Sequence, residues 1–165
     1  MLTTESTATL VRSLILSKLD YCNSLLTGIS SELLQKLQKI QNSAARLVSK
    51  SPKCSSISPV LNSLHWLRIS ERIEFKILII VYQCLHGNAP SYLRELVNPY
   101  QSTRSLRSQS QHYITVSKWN LKKFGFKSFE VSAALKWNAL PLALKTAPTF
   151  SIFKSKLKTF LFSKY

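Results

Sequence analysis

The sequence predicts a mainly α protein, an irregular helical bundle around one central apolar helix. Three observations point there. Apolar residues recur at helical period along most of the chain, Gly and Pro punctuate those runs, and one run is apolar on nearly every side. That run is Ser70–Gly87. Ile73, Phe75, Ile77, Leu78, Ile79, Ile80, Val81, Tyr82, Cys84 and Leu85 leave a single polar strip, Arg72, Lys76 and Gln83. Such a helix is buried among other elements rather than laid on a surface. Ser70 is placed as its N-cap, Glu71 and Glu74 suit the positive end of the helix dipole, and Gly87 suits the C′ position.

Taken in order, residues 7–26 form a first helix with Leu10, Val11, Leu14, Ile15, Tyr21, Cys22 and Leu25 on one face, Leu16 and Leu19 outside it, and Gly28 at its end. Ser30 or Ser31 caps a second helix reaching about Ser49, with Leu33, Leu37, Ile40, Ala44, Leu47 and Val48 as its apolar face. Lys36, Lys39, Ser43, Arg46 and Lys50 run beside that face as a basic stripe. The short connection makes the two an antiparallel hairpin. Pro52 and its Ser neighbours break the chain, and Ser58-Pro59 opens a short helix with Pro at its first position. After the central helix, residues 90–97 form another short one. Residues 101–111 carry Ser, Gln and Arg without apolar period and read as a loop. Residues 113–116 suggest a short β element, within 113–121, paired near Leu121. A helix over 129–140 stops at Pro141, and a last one starts near Thr149 with Phe150, Phe153, Leu157, Phe160 and Leu161 on one face. The segments group as 1–50, 51–99 and 100–165, the latter two reading also as one unit.

The chain has 165 residues, enough to bury roughly 70% of its unfolded surface in one core. It carries 23 Lys+Arg against 7 Asp+Glu, a formal charge of +16. Self-repulsion of that size is relieved by a polyanion, which makes RNA or DNA the first partner expected and an acidic membrane surface the second. Residues 101–165 hold 12 of the basic residues and a single acid, Glu130, so the charge is concentrated there. A membrane-spanning role is disfavoured, because the longest apolar run, Ile77–Tyr82, is far too short to cross a bilayer. Cys22, Cys54 and Cys84 are odd in number and widely spaced, against a disulfide framework or a structural zinc site; Cys22 and Cys84 read as small apolar helix residues. With no signal sequence evident, a reducing compartment, cytoplasm or nucleus, is expected.

The residues for catalysis do not assemble. Two-metal chemistry needs converging carboxylates, and Asp20 is the lone Asp while the Glu residues are scattered. His65, His86 and His112 have no nucleophile or acid–base partner in sequence and read as packed or surface imidazoles. Three glycines build no phosphate loop. No enzyme, cofactor, metal or small-molecule substrate is therefore expected. What remains is Lys and Arg interleaved with aromatics, the pattern of proteins that neutralise phosphates and stack on unpaired bases. Trp137, Phe150, Phe153 and Phe160 fit a core at helical spacing, so the candidate nucleic-acid contacts are the basic residues: Lys36, Lys39, Arg46 and Lys50 in the stripe, and Arg104, Arg107, Lys118, Lys122, Lys123 and Lys127 in the less regular segments.

Several stretches also form an ordered set: 19–26 (LDYCNSLL), 37–47 (LQKIQNSAARL), 64–67 (LHWL), 72–76 (RIEFK), 85–87 (LHG), 89–93 (APSYL), 104–108 (RSLRS) and 137–141 (WNALP). In this order and spacing they resemble the C-terminal part of the reverse transcriptase of LINE-type (non-LTR) retrotransposons, over about Leu10 to Phe162. The resemblance implies a helical thumb-like hairpin followed by a tail that helps hold template RNA and target DNA. Lys36, Lys39, Arg46 and Lys50 would belong to the hairpin, and Arg104 and Arg107 to the tail. The family's Tyr-x-Asp-Asp loop and endonuclease have no counterpart here, so those activities do not carry over. If a lost palm once covered the central helix, Ile79, Ile80 or Tyr82 is now exposed, and stability is marginal. The alternatives are a helical protein-interaction module, with the basic surface facing an acidic partner, and a transposon relic.

Overall fold

A computed structural model describes residues 3–101, 111–118 and 125–164. Its described elements are helical apart from one isolated β-bridge, which makes the protein mainly α. The chain divides into two units, Met1–Ile73 with Leu161–Tyr165, and Glu74–Phe160.

The first unit opens with α1 (Thr4–Val11), whose cap is Thr3: its hydroxyl accepts the Ser6 N–H at 3.1 Å. A π turn follows at Arg12–Leu16, then α2 (Ser17–Asp20). The π turn changes which residues face inward. It inserts one residue into the helical repeat, so everything after it is rotated by about 100° relative to an unbroken helix. Leu16 is buried and Leu19 half-buried, while Leu10 and Leu14 stand exposed. The uninterrupted period assigned those pairs the other way round; the rotation accounts for the residues from the π turn onward, whereas Leu10 lies before it in α1. The helix does not run on to Leu26 either. Cys22 adopts a left-handed conformation (φ 49°), and a 3-10 turn, Asn23–Leu26, completes the segment. Cys22 is consequently exposed rather than packed.

α3 (Ser31–Ser49) is capped by Ser30, which accepts the Leu33 N–H at 3.4 Å, and ends at Lys50 in the left-handed region. Its buried residues are Gln41, Ala44, Ala45 and Val48. Ala44, Ala45 and Val48 pack with Val11, Leu16, Leu61 and Trp66 into the core of this unit. Of the expected apolar face, Leu33, Ile40 and Leu47 are instead half exposed to solvent. The small residues Ala44 and Ala45 face the core, and two glutamines on the same helix bond to the 67–69 segment. Gln41, with no exposed surface, donates from Nε2 to the Leu67 carbonyl at 2.8 Å. Gln38 accepts the Ile69 N–H at 2.9 Å and donates to Gln41 Oε1 at 2.9 Å.

That contact explains a second departure. α4 (Ile57–Ser63) has Pro59 at its third position rather than its first. α5 (Ile69–Leu85) begins one residue before the expected cap at Ser70: the Arg72 N–H bonds the Arg68 carbonyl at 2.9 Å. Gln38 accepts the first free N–H of the helix, that of Ile69, and Ser70 lies inside the helix, donating to Glu71 at 2.7 Å. Arg72 and Asp20, 52 residues apart, close the unit with a two-pronged ion pair, Nε to Oδ1 at 2.8 Å and Nη2 to Oδ2.

In the second unit, Ile77, Leu78, Val81, Tyr82 and Cys84 of α5 are buried, and Ile79 and Ile80 half-buried. Tyr82 is therefore not the exposed residue that a lost palm would leave. Its ring stacks with Phe153 at 4.3 Å and with His86 at 3.9 Å between centroids, and its hydroxyl donates to the Ala147 carbonyl at 2.9 Å. Gly87 ends α5 as expected. At φ 75° it lets its own N–H reach the Cys84 carbonyl (3.3 Å) and the Asn88 N–H reach Gln83 (2.9 Å).

α6 spans Ser91–Arg94. Beyond it the expected β element is a single antiparallel bridge between Pro99 and Ile114, with Tyr100 donating to Tyr113 and Thr115 to Asn98, both at 2.9 Å. Its partner is thus the segment at 98–100; Leu121 lies outside the described residues. α7 (Phe129–Asn138), capped by Ser128, grips this strand from the side. The Asn138 amide both accepts from the Ile114 N–H and donates to the Ile114 carbonyl, each at 2.9 Å, and Trp137 Nε1 donates to the His112 carbonyl at 2.9 Å. α8 (Leu142–Lys145) follows Pro141. α9 (Phe150–Phe162) buries Phe153, Leu157 and Leu161. Phe150, expected in the core, is partly exposed, and Phe160 half-buried.

Candidate nucleic-acid interface

In the first unit the basic stripe exists as a helix face. Positions 36, 39, 43, 46 and 50 fall within about 80° of arc at 3.6 residues per turn. Lys36, Lys39 and Lys50 are exposed. Lys36 also pairs with Glu32 one turn earlier at 2.7 Å, with both side chains well solvated, so a phosphate can displace that pair at little cost. Arg46 differs. It is half-buried, its Nη2 donates to the Ser55 carbonyl at 3.4 Å, and its buried Nε has no hydrogen-bond partner. It ties the 51–56 loop to α3 rather than standing free in solvent. No aromatic side chain is interleaved with this stripe; Leu33, Ile40 and Leu47 are.

In the second unit Lys118 and Lys127 are exposed, the latter in a 3-10 turn, Gly125–Lys127. Arg104, Arg107, Lys122 and Lys123 lie outside the described residues. Periodicity missed the exposed aromatics Tyr92 and Tyr100, which offer ring faces to unpaired bases, because single rings in short irregular segments leave no repeat to read. Lys154 and Lys156 of α9 are exposed and flank the buried Phe153 and Leu157.

Periodicity also missed Lys145, which is buried, with Nζ donating to the Asn138 carbonyl at 3.1 Å and lying 4.5 Å above the centre of the Tyr113 ring. A cation at that carbonyl complements the negative end of α7. Burial pulls its ammonium below the ordinary lysine value. Lys145 sits in the wall of a cleft of about 510 Å³ edged by His86, His112 and Tyr113. The His86 Nδ1–H donates to the Tyr82 carbonyl at 2.8 Å, while His65 and His112 take left-handed backbone conformations.

The carboxylates are dispersed: Asp20 is held by Arg72, Glu32 by Lys36, and Glu130 accepts from the Ser117 hydroxyl. Among the described residues no group of three or more His, Cys, Asp or Glu is placed to hold a metal ion, and no helix is long and apolar enough to cross a membrane. Comparison of the chain with protein-family models, with curated proteins and with solved structures finds no match.

Proposed function

We propose that this protein is a non-catalytic nucleic-acid-binding module that holds RNA or single-stranded DNA through its basic surface. The carrying observation is the charge: 23 basic residues against 7 acidic ones in 165. Among the described residues the exposed Lys36, Lys39, Lys50, Lys118 and Lys127 support the reading, as do the exposed rings of Tyr92 and Tyr100. The ordered resemblance to the thumb-like and tail segments of LINE-type reverse transcriptases supplies the family context, and within it the module positions template or target while a polymerase elsewhere does the chemistry.

The test is a salt titration. Single-stranded RNA should bind at about 50 mM salt, with log affinity falling linearly against log salt at about −0.7 per phosphate neutralised. Lys36→Glu, Lys39→Glu and Lys50→Glu together should weaken binding to all sequences alike and flatten that slope. Absence of binding at about 50 mM salt overturns the proposal. Unchanged affinity in the triple variant moves the interface to the second unit or to Arg104, Arg107, Lys122 and Lys123.

A further inference from the structure

The first unit carries an apolar surface that phosphate contacts alone would leave in water. A groove of about 390 Å³ is lined by Ile15, Lys39, Ile40, Ser43, Ala44 and Leu47. It runs between the π turn and α3. Beside it, Leu33, Ile40 and Leu47 recur every seven residues along α3 at 51%, 49% and 59% exposure, and Leu14 of the π turn is 66% exposed. Exposed large apolar residues in a line, rather than singly, mark a contact surface. The line is bordered along one side by charge of one sign: Lys36, Lys50 and Lys39 all lie on the same flank of α3, with Glu32 as the acid paired to Lys36.

We propose that this groove docks an acidic amphipathic helix from a partner protein. Each observation removes a competitor. Phosphates would neutralise Lys36, Lys39 and Lys50 but leave Leu33, Ile40 and Leu47 in water. A neutral apolar helix would fill the groove and strand the lysines without counter-charge. An amphipathic helix with Leu or Ile at i, i+3 or i+4 and i+7, flanked by Asp and Glu, meets both the groove and its rim. Leu16 of the π turn is buried in the core while Ile15 beside it lines the groove, and π turns of this kind recur at functional sites. Lys36, Lys39 and Lys50 serve both readings, so a strand and the helix would compete on α3, while Lys118 and Lys127 of the second unit stay available to a strand.

The experiment uses the full chain and a labelled synthetic helix of about 20 residues with a Leu ridge and Glu flanks, read by fluorescence anisotropy against a scrambled peptide of equal composition. The ridged peptide should bind at least about tenfold more tightly than the scrambled one. Ile40→Asn with Leu47→Asn, at positions 49% and 59% exposed and checked for an unchanged helical spectrum, should abolish that preference while single-stranded RNA binding stays within about twofold. Lys36→Glu with Lys50→Glu should weaken the acidic peptide and take up a Lys-flanked version of the same ridge. Equal binding of the scrambled peptide, survival of binding in the Asn pair, or failure of the charge-swapped rescue overturns the proposal. So does uptake of anionic liposomes, lost in the Asn pair, without uptake of the peptide. Loss of RNA binding alone would count against the nucleic-acid function and leave this inference standing.

Discussion

Gln41 is the polar residue on which the first unit depends most. It has no exposed surface, and its amide serves the Leu67 carbonyl and receives Gln38. Replacement by Leu keeps the volume and removes the donor, leaving a buried carbonyl unserved. Gln41→Leu should cost about 1–3 kcal/mol in urea unfolding, despite being the more apolar residue. Lys145 makes the opposite kind of statement. Burial holds its ammonium below 10.5, so the unfolded chain binds that proton more tightly than the folded one does. Its contribution to stability is therefore poorest below the folded-state pKa and recovers as pH rises through that value towards 10.5. Wild type should gain on Lys145→Met in paired denaturation curves run upward from neutral pH. Cys84 carries the reverse sign. Its burial raises the thiol above 9.0, against a smaller lowering by the Arg94 charge, so what it contributes is present below 9.0 and lost as pH climbs through the raised value. Wild type should lose on Cys84→Ala over that range.

At the scale of elements, helix ends separate what was legible from what was not. The end of α5 was legible: Gly87 after an unbroken apolar run signals a left-handed C′ residue. A Cβ there would meet nothing within 4 Å, so the cost of substitution is the backbone conformation alone. Gly87→Ala should lose about 1–2 kcal/mol in thermal or urea unfolding, with no change in the spectrum of the folded state. The start of α5 was not legible. Ser70 obeys the local capping rule, yet Gln38, 31 residues earlier than Ile69, overrides it with a tertiary hydrogen bond. The same holds for the first helix, where a π turn shifts the inward face and no composition marks it in advance. α3 and α7 lie within two residues of their expected bounds: Ser30 caps α3 as its position suggests, and Pro141 limits α7, whose Ser128 cap the spacing did not single out. Of the candidate contacts, the stripe on α3 was readable from spacing. The diversion of Arg46 to Ser55 was not, since it depends on where a loop folds back.

For the molecule as a whole, net charge is the dominant long-range term. At +16, repulsion among solvated lysines opposes the compact state and is screened as ionic strength rises. The melting temperature should therefore climb as salt is raised from about 10 mM to about 150 mM, where the screening length falls to about 8 Å. Calorimetry should place the transition below about 65 °C, within the range of ordinary mesophilic domains. A short single-stranded RNA should raise it further by mass action, in proportion to its affinity. A melting temperature indifferent to both salt and RNA would remove electrostatics from the account of this chain. Composition alone made this level legible, because net charge needs no knowledge of the fold.

The glutamine pair on α3 also settles a competition between two ways of seating one helix. The line Leu33, Ile40, Leu47 is greasier than the line that is buried, and a roll of about 100°, one residue's worth, would exchange them. That roll would leave the Leu67 carbonyl and the Ile69 N–H without partners. The amides thus act as a detent, ranking below the native state an alternative that hydrophobicity by itself would prefer. Without them the chain would keep its helices and lose its single answer, and doubled amide resonances from α3 in Gln38→Leu, Gln41→Leu protein would be the visible sign.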